Sequence, residues 1–289
     1  MVITTYNGIR LNKKDSNVLQ EIENLTGKTI PSGKCGFYSM GFKHHNERVS
    51  ELSLHKIGLS YLPESIMDLQ HLEKLYLRDN RLIGLPPTIG ELPHLKNLDI
   101  FNNKLQTLPD TIGNLENLIR MDLSRNQLEE LPETIGNLKR LERLGLLNVQ
   151  LEELPETIGE LSNLWDLTVS INKLKSITER IGALNNLKRL ILDKNELTYL
   201  PESIGNLIHL ETLSLGNNML SAIPSTISNL TQLLFLRLED NKLDSLPNGI
   251  ENLYNLKSLW LEKNKHLKLT KDQEEWVQNL RINKSNVRR

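Results

Sequence analysis

Cysteine is almost absent from this 289-residue sequence, aromatic residues are scarce, and neither sign of charge prevails. The single cysteine, Cys35, cannot close an internal disulfide, so neither a disulfide scaffold nor an oxidising compartment is implied. Aromatics make up 4% of the chain against 38% hydrophobic residues in all, so the core must be aliphatic. Lysine and arginine number 35 and aspartate and glutamate 36, a net charge of -1 that gives no strong attraction to nucleic acid or to an anionic membrane. No apolar run approaches the roughly 18 residues of a membrane-spanning helix. The opening MVITTYNGIRLNKKD lacks the basic and then apolar pattern of a secretory leader, so a cytoplasmic location is expected. No phosphate-cradling glycine loop of the GxGxxG or GK[ST] kind occurs.

What the chain does have is leucine in a fixed rhythm. The pattern LxxLxLxxNxL begins at Val49, Leu72, Leu95, Leu118, Leu141, Leu164, Leu187, Leu210, Leu233 and Leu256, ten starts each 23 residues apart. Between them runs LPxxIGxLxxL, as from Leu108-Pro109 through Ile112-Gly113 to Leu115. In LxxLxL the residues two apart, such as Leu75 and Leu77, share one face of a short strand. One such unit cannot stand alone. Ordering its backbone costs about 1–2 kcal/mol per residue, whereas each buried aliphatic side chain returns roughly 1.5–3 kcal/mol. Stacking shares the edges, so neighbouring strands are expected to pair as a parallel sheet.

Ten in-phase copies resemble the leucine-rich-repeat family over about residues 49–267. The LPxxIG form is similar to the repeats of Ras-binding scaffolds and of archaeal and bacterial intracellular members. The resemblance implies an α/β repeat solenoid. It would be a right-handed horseshoe or arc, with a parallel sheet on its concave face and short helical turns or extended segments on its convex face. Residues 1–48 are read as an N-terminal cap, 49–267 as ten repeats and 268–289 as a C-terminal capping helix and tail. In the first cap NVLQEIENLTG reads as a helix with Val18, Leu19, Ile22 and Leu25 inward and Gly27 ending it. GFYSMGF (36–42) reads as a strand, and His44-His45-Asn46 as the turn after it. In the second, Thr270 and Gln273 fit a capping box, Trp276, Val277 and Leu280 face the last repeat, and NKSNVRR is expected to fray.

The recurring asparagines, Asn80 through Asn264, should point inward and satisfy backbone groups where each strand turns away. Ile57 and Val149 break the series and should loosen it locally. Proline in LPxxIG suits the first position of a short helical turn. Ile177-Thr178, in place of Leu-Pro, should give a small irregularity.

Counting the first leucine as position one, positions three, five and seven of each repeat face outward and position eight lies at the rim. These columns would normally be polar, yet they hold Tyr76, Phe101, Leu147, Ile191, Phe235 and Trp260, with Ile171 at the rim. Arg120, Asp122, Arg143, Gly145 and Thr168 fall among them. Gly145, with no side chain, should leave a dimple. Apolar groups rimmed by arginine and aspartate have the make-up of a binding hot spot, with Arg237 beside Phe235 and Trp260 as a second one.

The expected function is therefore a protein–protein interaction scaffold. It would be monomeric, take no cofactor, and bind its partner on the concave face. By the resemblance, that partner could belong to a small-GTPase pathway or other signalling. Recognition of a glycan or nucleic acid through Arg120, Arg143 and Arg189 is the alternative, opposed by the interleaved Asp99, Asp122, Asp166 and Asp193. Catalysis is not expected. His71, His94 and His209 share a column but supply too few ligands for a metal, the acidic stripe from Glu64 to Glu202 has no pocket, and Cys35 lacks an activating neighbour.

Overall fold

The computed structural model describes residues 2–282 and 286–288, and the chain divides into two compact units, Met1–Gly145 and Leu146–Arg289. The first unit opens with a hairpin that the leucine rhythm gives no hint of: β1 (Ile3–Tyr6) pairs antiparallel with β2 (Ile9–Asn12). Its two-residue turn is Asn7-Gly8, with φ of 47° and 81°, the twist that suits a tight hairpin. Helix α1 spans Lys13–Thr26, beginning earlier than expected because Asn12 accepts from the Lys14 N–H at 2.9 Å and so caps it. Gly27 ends it in the left-handed conformation. Val18, Leu19 and Ile22 are buried, but Leu25 is 39% exposed and does not belong to the inner stripe. Asp15 is fully buried; it takes the Val49 N–H at 2.7 Å and the Arg48 guanidinium at 3.1 Å, tying helix to sheet.

The strand expected at 36–42 is shifted. β3 is Met40–His45, residues 36–39 form a turn, and the reversal falls at Asn46-Glu47, both with positive φ, so His44 and His45 are strand residues. β3 pairs antiparallel with β4 (Arg48–Leu54), and parallel strands then follow in register: β5 (Lys74–Tyr76), β6 (Asn97–Asp99), β7 (Arg120–Asp122) and β8 (Arg143–Gly145). In the second unit β9 (Asp166–Thr168), β10 (Arg189–Ile191), β11 (Thr212–Ser214), β12 (Phe235–Arg237) and β13 (Ser258–Trp260) do the same. Helix α2 (Lys271–Ile282) starts from the capping box: the Thr270 N–H reaches Gln273 at 3.2 Å and the Gln273 N–H reaches Thr270 at 3.3 Å. The tail does not simply fray, since β14 (Asn286–Arg288) pairs parallel with β13 and continues the sheet past its last repeat strand; residues 283–285 and 289 lie outside the described residues.

In both units the leucines of each repeat are buried and the asparagines bind backbone inside the turn. Asn103 shows the pattern: its amide donates to the Leu77 and Ile100 carbonyls at 2.9 and 3.1 Å, and its oxygen accepts the Leu82 N–H at 3.1 Å. Where the series breaks, the next asparagine takes over. Asn80 receives the N–H groups of Ile57, Gly58 and Leu59, and Asn172 those of Val149 and Leu151, so the break costs less than expected. Opposite the strands, each LPxxIG half makes one 3-10 turn. Pro63, Pro86, Pro109, Pro132, Pro155, Pro201 and Pro224 stand one residue before that turn rather than at its first position, in extended backbone with φ between -64° and -69°. Thr178 adopts the same conformation (φ -64°, ψ 149°) and caps its turn by accepting the Arg180 N–H, so no irregularity arises there. The recurring glycine answers to close packing: a Cβ on Gly113 would stand 2.4 Å from the Thr134 carbonyl oxygen of the next turn.

Candidate functional site

Strands β5 to β13 are only three residues long, so each of their repeats offers the sheet face the side chains either side of one buried apolar residue, plus the two that follow. In the first unit much of this face is already occupied. Ser53 donates to the carbonyls of Gly36 and Ser39, which lays residues 36–39 across the first strands. Phe37 packs edge-on against Tyr76 at 5.0 Å between ring centroids, and Tyr38 against His55 at 5.9 Å. Tyr76 is 7% exposed, so it belongs to the interior and not to a docking surface; the chain's own N-terminal segment covers it. Cys35 sits in this segment, and burial pushes its thiol up to about 12, which removes it as a nucleophile.

Next to this cover, Arg78 gathers the face together. Its guanidinium lies over the rings of Phe37, Tyr38 and Phe101, while Nε meets Asp99 at 2.6 Å and Nη2 meets Asp122 at 3.2 Å. Burial dominates at Asp99 and raises its carboxyl to about 6, against the pull of Arg78. Phe101 remains half-buried, with Arg125 over it at 5.1 Å, and Arg120 and Arg143 are exposed. The dimple at Gly145 is not empty. A Cβ there would meet the Asp122 carboxylate at 2.8 Å and the Ser124 hydroxyl at 3.2 Å, so these side chains lean into the space the glycine leaves.

In the second unit no segment of comparable kind crosses the face among the described residues. Leu147, Thr168 and Ile191 are half-buried, Trp260 is half-buried, Arg237 is exposed and Phe235 is 36% exposed. Arg237 lies 5.5 Å from the Trp260 ring and ion-pairs with Glu239; Arg189 lies 3.6 Å from Asp166. Position seven runs Asp193, Gly216, Glu239, Glu262. Asp193 accepts from the Ser214 hydroxyl at 2.6 Å and the Gly216 N–H at 3.1 Å. The sequence reading named Asp193 only as a charge opposing a glycan or nucleic acid and did not single out Glu239 or Glu262, because it looked for apolar groups in polar columns and did not ask which acids would be buried.

Three family models describing leucine-rich repeats match residues 70–114, 93–151 and 171–282. These segments are leucine-rich repeats. Each unit is thus a stretch of leucine-rich-repeat solenoid, with the parallel strands on one side and the 3-10 turns on the other. Among solved structures, the leucine-rich-repeat ectodomain of the Arabidopsis thaliana receptor kinase GASSHO1/SCHENGEN3, in complex with CASPARIAN STRIP INTEGRITY FACTOR 2, is 29% identical and covers 86% of this chain (TM-score 0.73). The plant peptide hormone receptor RGFR1, in complex with RGF2, is 30% identical and covers 72% (TM-score 0.57). The Arabidopsis receptor kinase HAESA, with the peptide hormone IDA and the co-receptor SERK1, is 24% identical, covers 89% (TM-score 0.74) and speaks for the fold alone. The chain spans only 32%, 38% and 46% of those three receptor chains. No curated protein matches the sequence. Among the described residues no helix is long and apolar enough to cross a membrane, and no cluster of histidine, cysteine and carboxylates could hold a metal ion.

The leucine-rich-repeat frame exposes one anomaly. Position eight of every repeat is left-handed, with φ between 52° and 64° from Lys56 to Lys263. Asparagine, aspartate, lysine or arginine fills it in nine repeats, and Ile171 (φ 58°) in the tenth. A β-branched side chain is the least suited to that conformation. Ile171 is nevertheless 42% exposed, so no core packing offsets the strain.

Proposed function

We propose that this chain is a non-catalytic scaffold that binds a partner protein on the sheet face of its repeats. In the second unit the contact would run over Leu147, Thr168, Ile171, Ile191, Phe235, Arg237 and Trp260. In the first it would use Phe101, Arg120, Asp122, Arg143 and Gly145, and Tyr76 drops out. The observation that carries this reading is Ile171. An exposed isoleucine in a left-handed position costs on the order of 1 kcal/mol against asparagine, and strain held against a local preference marks a site of use. Two of the similar plant receptors are in complex with CASPARIAN STRIP INTEGRITY FACTOR 2 and with RGF2, which supports a binding role for a fold of this kind. A cytoplasmic place and a partner in small-GTPase or other signalling follow from the sequence resemblance alone.

The alternative, a glycan or nucleic acid held by Arg120, Arg143 and Arg189, is disfavoured because Arg189 already faces Asp166 at 3.6 Å. Affinity capture from the source cell with the wild-type chain, Ile171→Asn and Gly145→Arg, compared by quantitative mass spectrometry, tests the proposal. A partner depleted by Ile171→Asn is expected, together with an unchanged or higher melting temperature. Equal recovery of every captured protein by all three chains refutes it.

A further inference from the structure

Gly84, in the first unit, is a glycine that the fold does not require. Its φ lies outside the left-handed region, unlike that of Gly58, and a Cβ on it would meet nothing within 4 Å, unlike one on Gly113. Neither backbone geometry nor close packing calls for it. Repeats three and four fill the same two positions with Gln106-Thr107 and Glu129-Glu130, whereas repeat two has Ile83-Gly84 and repeat one Ser60-Tyr61. Ile83 is 63% exposed and Tyr61 51% exposed. A single exposed apolar residue needs no explanation, but these two line one hollow of about 520 Å³ together with Gly84.

The hollow lies along the first two 3-10 turns, away from the strands. Leu62 and Leu85, with the prolines that follow them, line it as buried apolar groups. Glu64 and, from α1, Glu21 line it as well. Ser65, next to Glu64 in the chain, donates its hydroxyl to Glu21, which brings the two acids to the same wall. Glu64 accepts the Thr88 hydroxyl at 2.6 Å. Neither acid has a cation: no lysine, arginine or histidine lines the hollow among the described residues, and Lys14, on the same helix, is held by Asp68 at 2.8 Å. An open apolar floor beside two acids without a counter-charge is complementary to an apolar side chain that has a lysine or arginine next to it.

We propose that this hollow is a docking site of its own, separate from the sheet face. It seats one aliphatic or aromatic side chain of a partner protein over Gly84, against Tyr61 and Ile83, with a neighbouring lysine or arginine facing Glu21 and Glu64. A randomised 12-residue peptide library displayed on phage tests it, selected on the full chain after depletion on Gly84→Thr. That substitution places in repeat two the residue that repeat three carries there, and it occupies the hollow. Nothing crowds the new Cβ, so the midpoint of urea unfolding should not fall. The selected peptides are then titrated against wild type, Gly84→Thr, Ile83→Gln, Glu64→Gln, Glu21→Gln and Ile171→Asn.

The expected peptides pair an apolar residue with lysine or arginine. They bind Gly84→Thr and Ile83→Gln roughly tenfold more weakly and Glu64→Gln and Glu21→Gln about threefold more weakly, and they bind Ile171→Asn as tightly as wild type. A depleted library that yields no binder overturns the inference. Binders with no basic residue, or indifferent to Glu64→Gln and Glu21→Gln, overturn the stated occupant. Binders weakened by Ile171→Asn alone belong to the sheet face and overturn it as well. A wild-type dimer in light scattering that Gly84→Thr dissolves assigns the hollow to a second copy of the chain and overturns the partner.

Discussion

Replacing Asn103 by valine tests the inner asparagine series, and the structure sets the size of the effect. The substitution removes four bonds, the longest of them to the Phe101 carbonyl, which keeps the Asp79 N–H, and they are not equivalent. The Leu77 carbonyl keeps the Asn80 amide at 2.9 Å and the Ile100 carbonyl keeps that of Asn126 at 3.0 Å, because each is held by two successive asparagines. Only the Leu82 N–H is orphaned. An orphaned buried donor costs about 1–3 kcal/mol and each lost second bond about 0.5–1.5 kcal/mol. Burial of valine in the same place, as Val149 achieves with no exposed surface, returns roughly 1.5 kcal/mol. The net loss should be about 2–3 kcal/mol, read from the midpoint of urea unfolding. A sharper consequence follows from the sharing. Asn103→Val combined with Asn126→Val strips the Ile100 carbonyl of both amides, so the pair should cost about 1–2 kcal/mol more than the sum of the singles. Asn103→Val combined with Asn241→Val shares no carbonyl and should be additive. A double-mutant cycle with no coupling between Asn103 and Asn126 would falsify the shared-carbonyl account.

Asp99 makes stability depend on pH. Its carboxyl is raised to about 6, so its favourable contribution is full below the ordinary carboxylate value of 3.8 and is lost as pH rises through 6. From pH 7 down to pH 5 this group should add about 1.4 kcal/mol, one pKa unit's worth. Asp99→Asn should remove that increment from the difference between the two chains' pH profiles, and parallel profiles would contradict it. Gly113→Ala should destabilise by about 1–3 kcal/mol in thermal unfolding, since the new methyl meets backbone. Gly84→Ala, with nothing within 4 Å, should be neutral or slightly stabilising, and equal effects at the two sites would refute the packing argument. Thr270→Ala should cost about 1 kcal/mol and fray α2, visible as faster amide exchange there, because the reciprocal bond with Gln273 disappears.

The repeat strands and their inward leucines were legible because a 23-residue period repeats one local rule ten times, and any error in one copy is corrected by the others. The N-terminal 48 residues have no such redundancy. The Asn7-Gly8 hairpin carried a local signal, a turn dipeptide between ITTY and IRLN, that the search for leucine periodicity passed over. The register of β3 carried none, since GFYSMGF and MGFKHH alternate equally well. Burial on the sheet face was misjudged for one physical reason. Alternation tells which way a side chain points, not what else arrives there, and Tyr76 is buried by Phe37, a residue 39 positions earlier. Gly145 was misjudged similarly, because a missing side chain leaves a hollow only if its neighbours stay upright, and Asp122 does not.

Tyr76 and Ile171 show together why the outward columns must be read through the backbone before they are read as surface. Both are apolar side chains in mostly polar columns, and composition alone ranks the tyrosine higher as a binding residue. Tyr76 has relaxed strand geometry and a partner supplied by its own chain, so its retention is explained by packing. Ile171 has left-handed geometry and substantial exposure, so neither local preference nor packing explains it. Asp15 stands with Tyr76: it is buried and served by Arg48 and the Val49 amide, which makes it architecture. A residue whose surroundings account for its cost belongs to the fold; one whose surroundings do not is where a partner has to be sought.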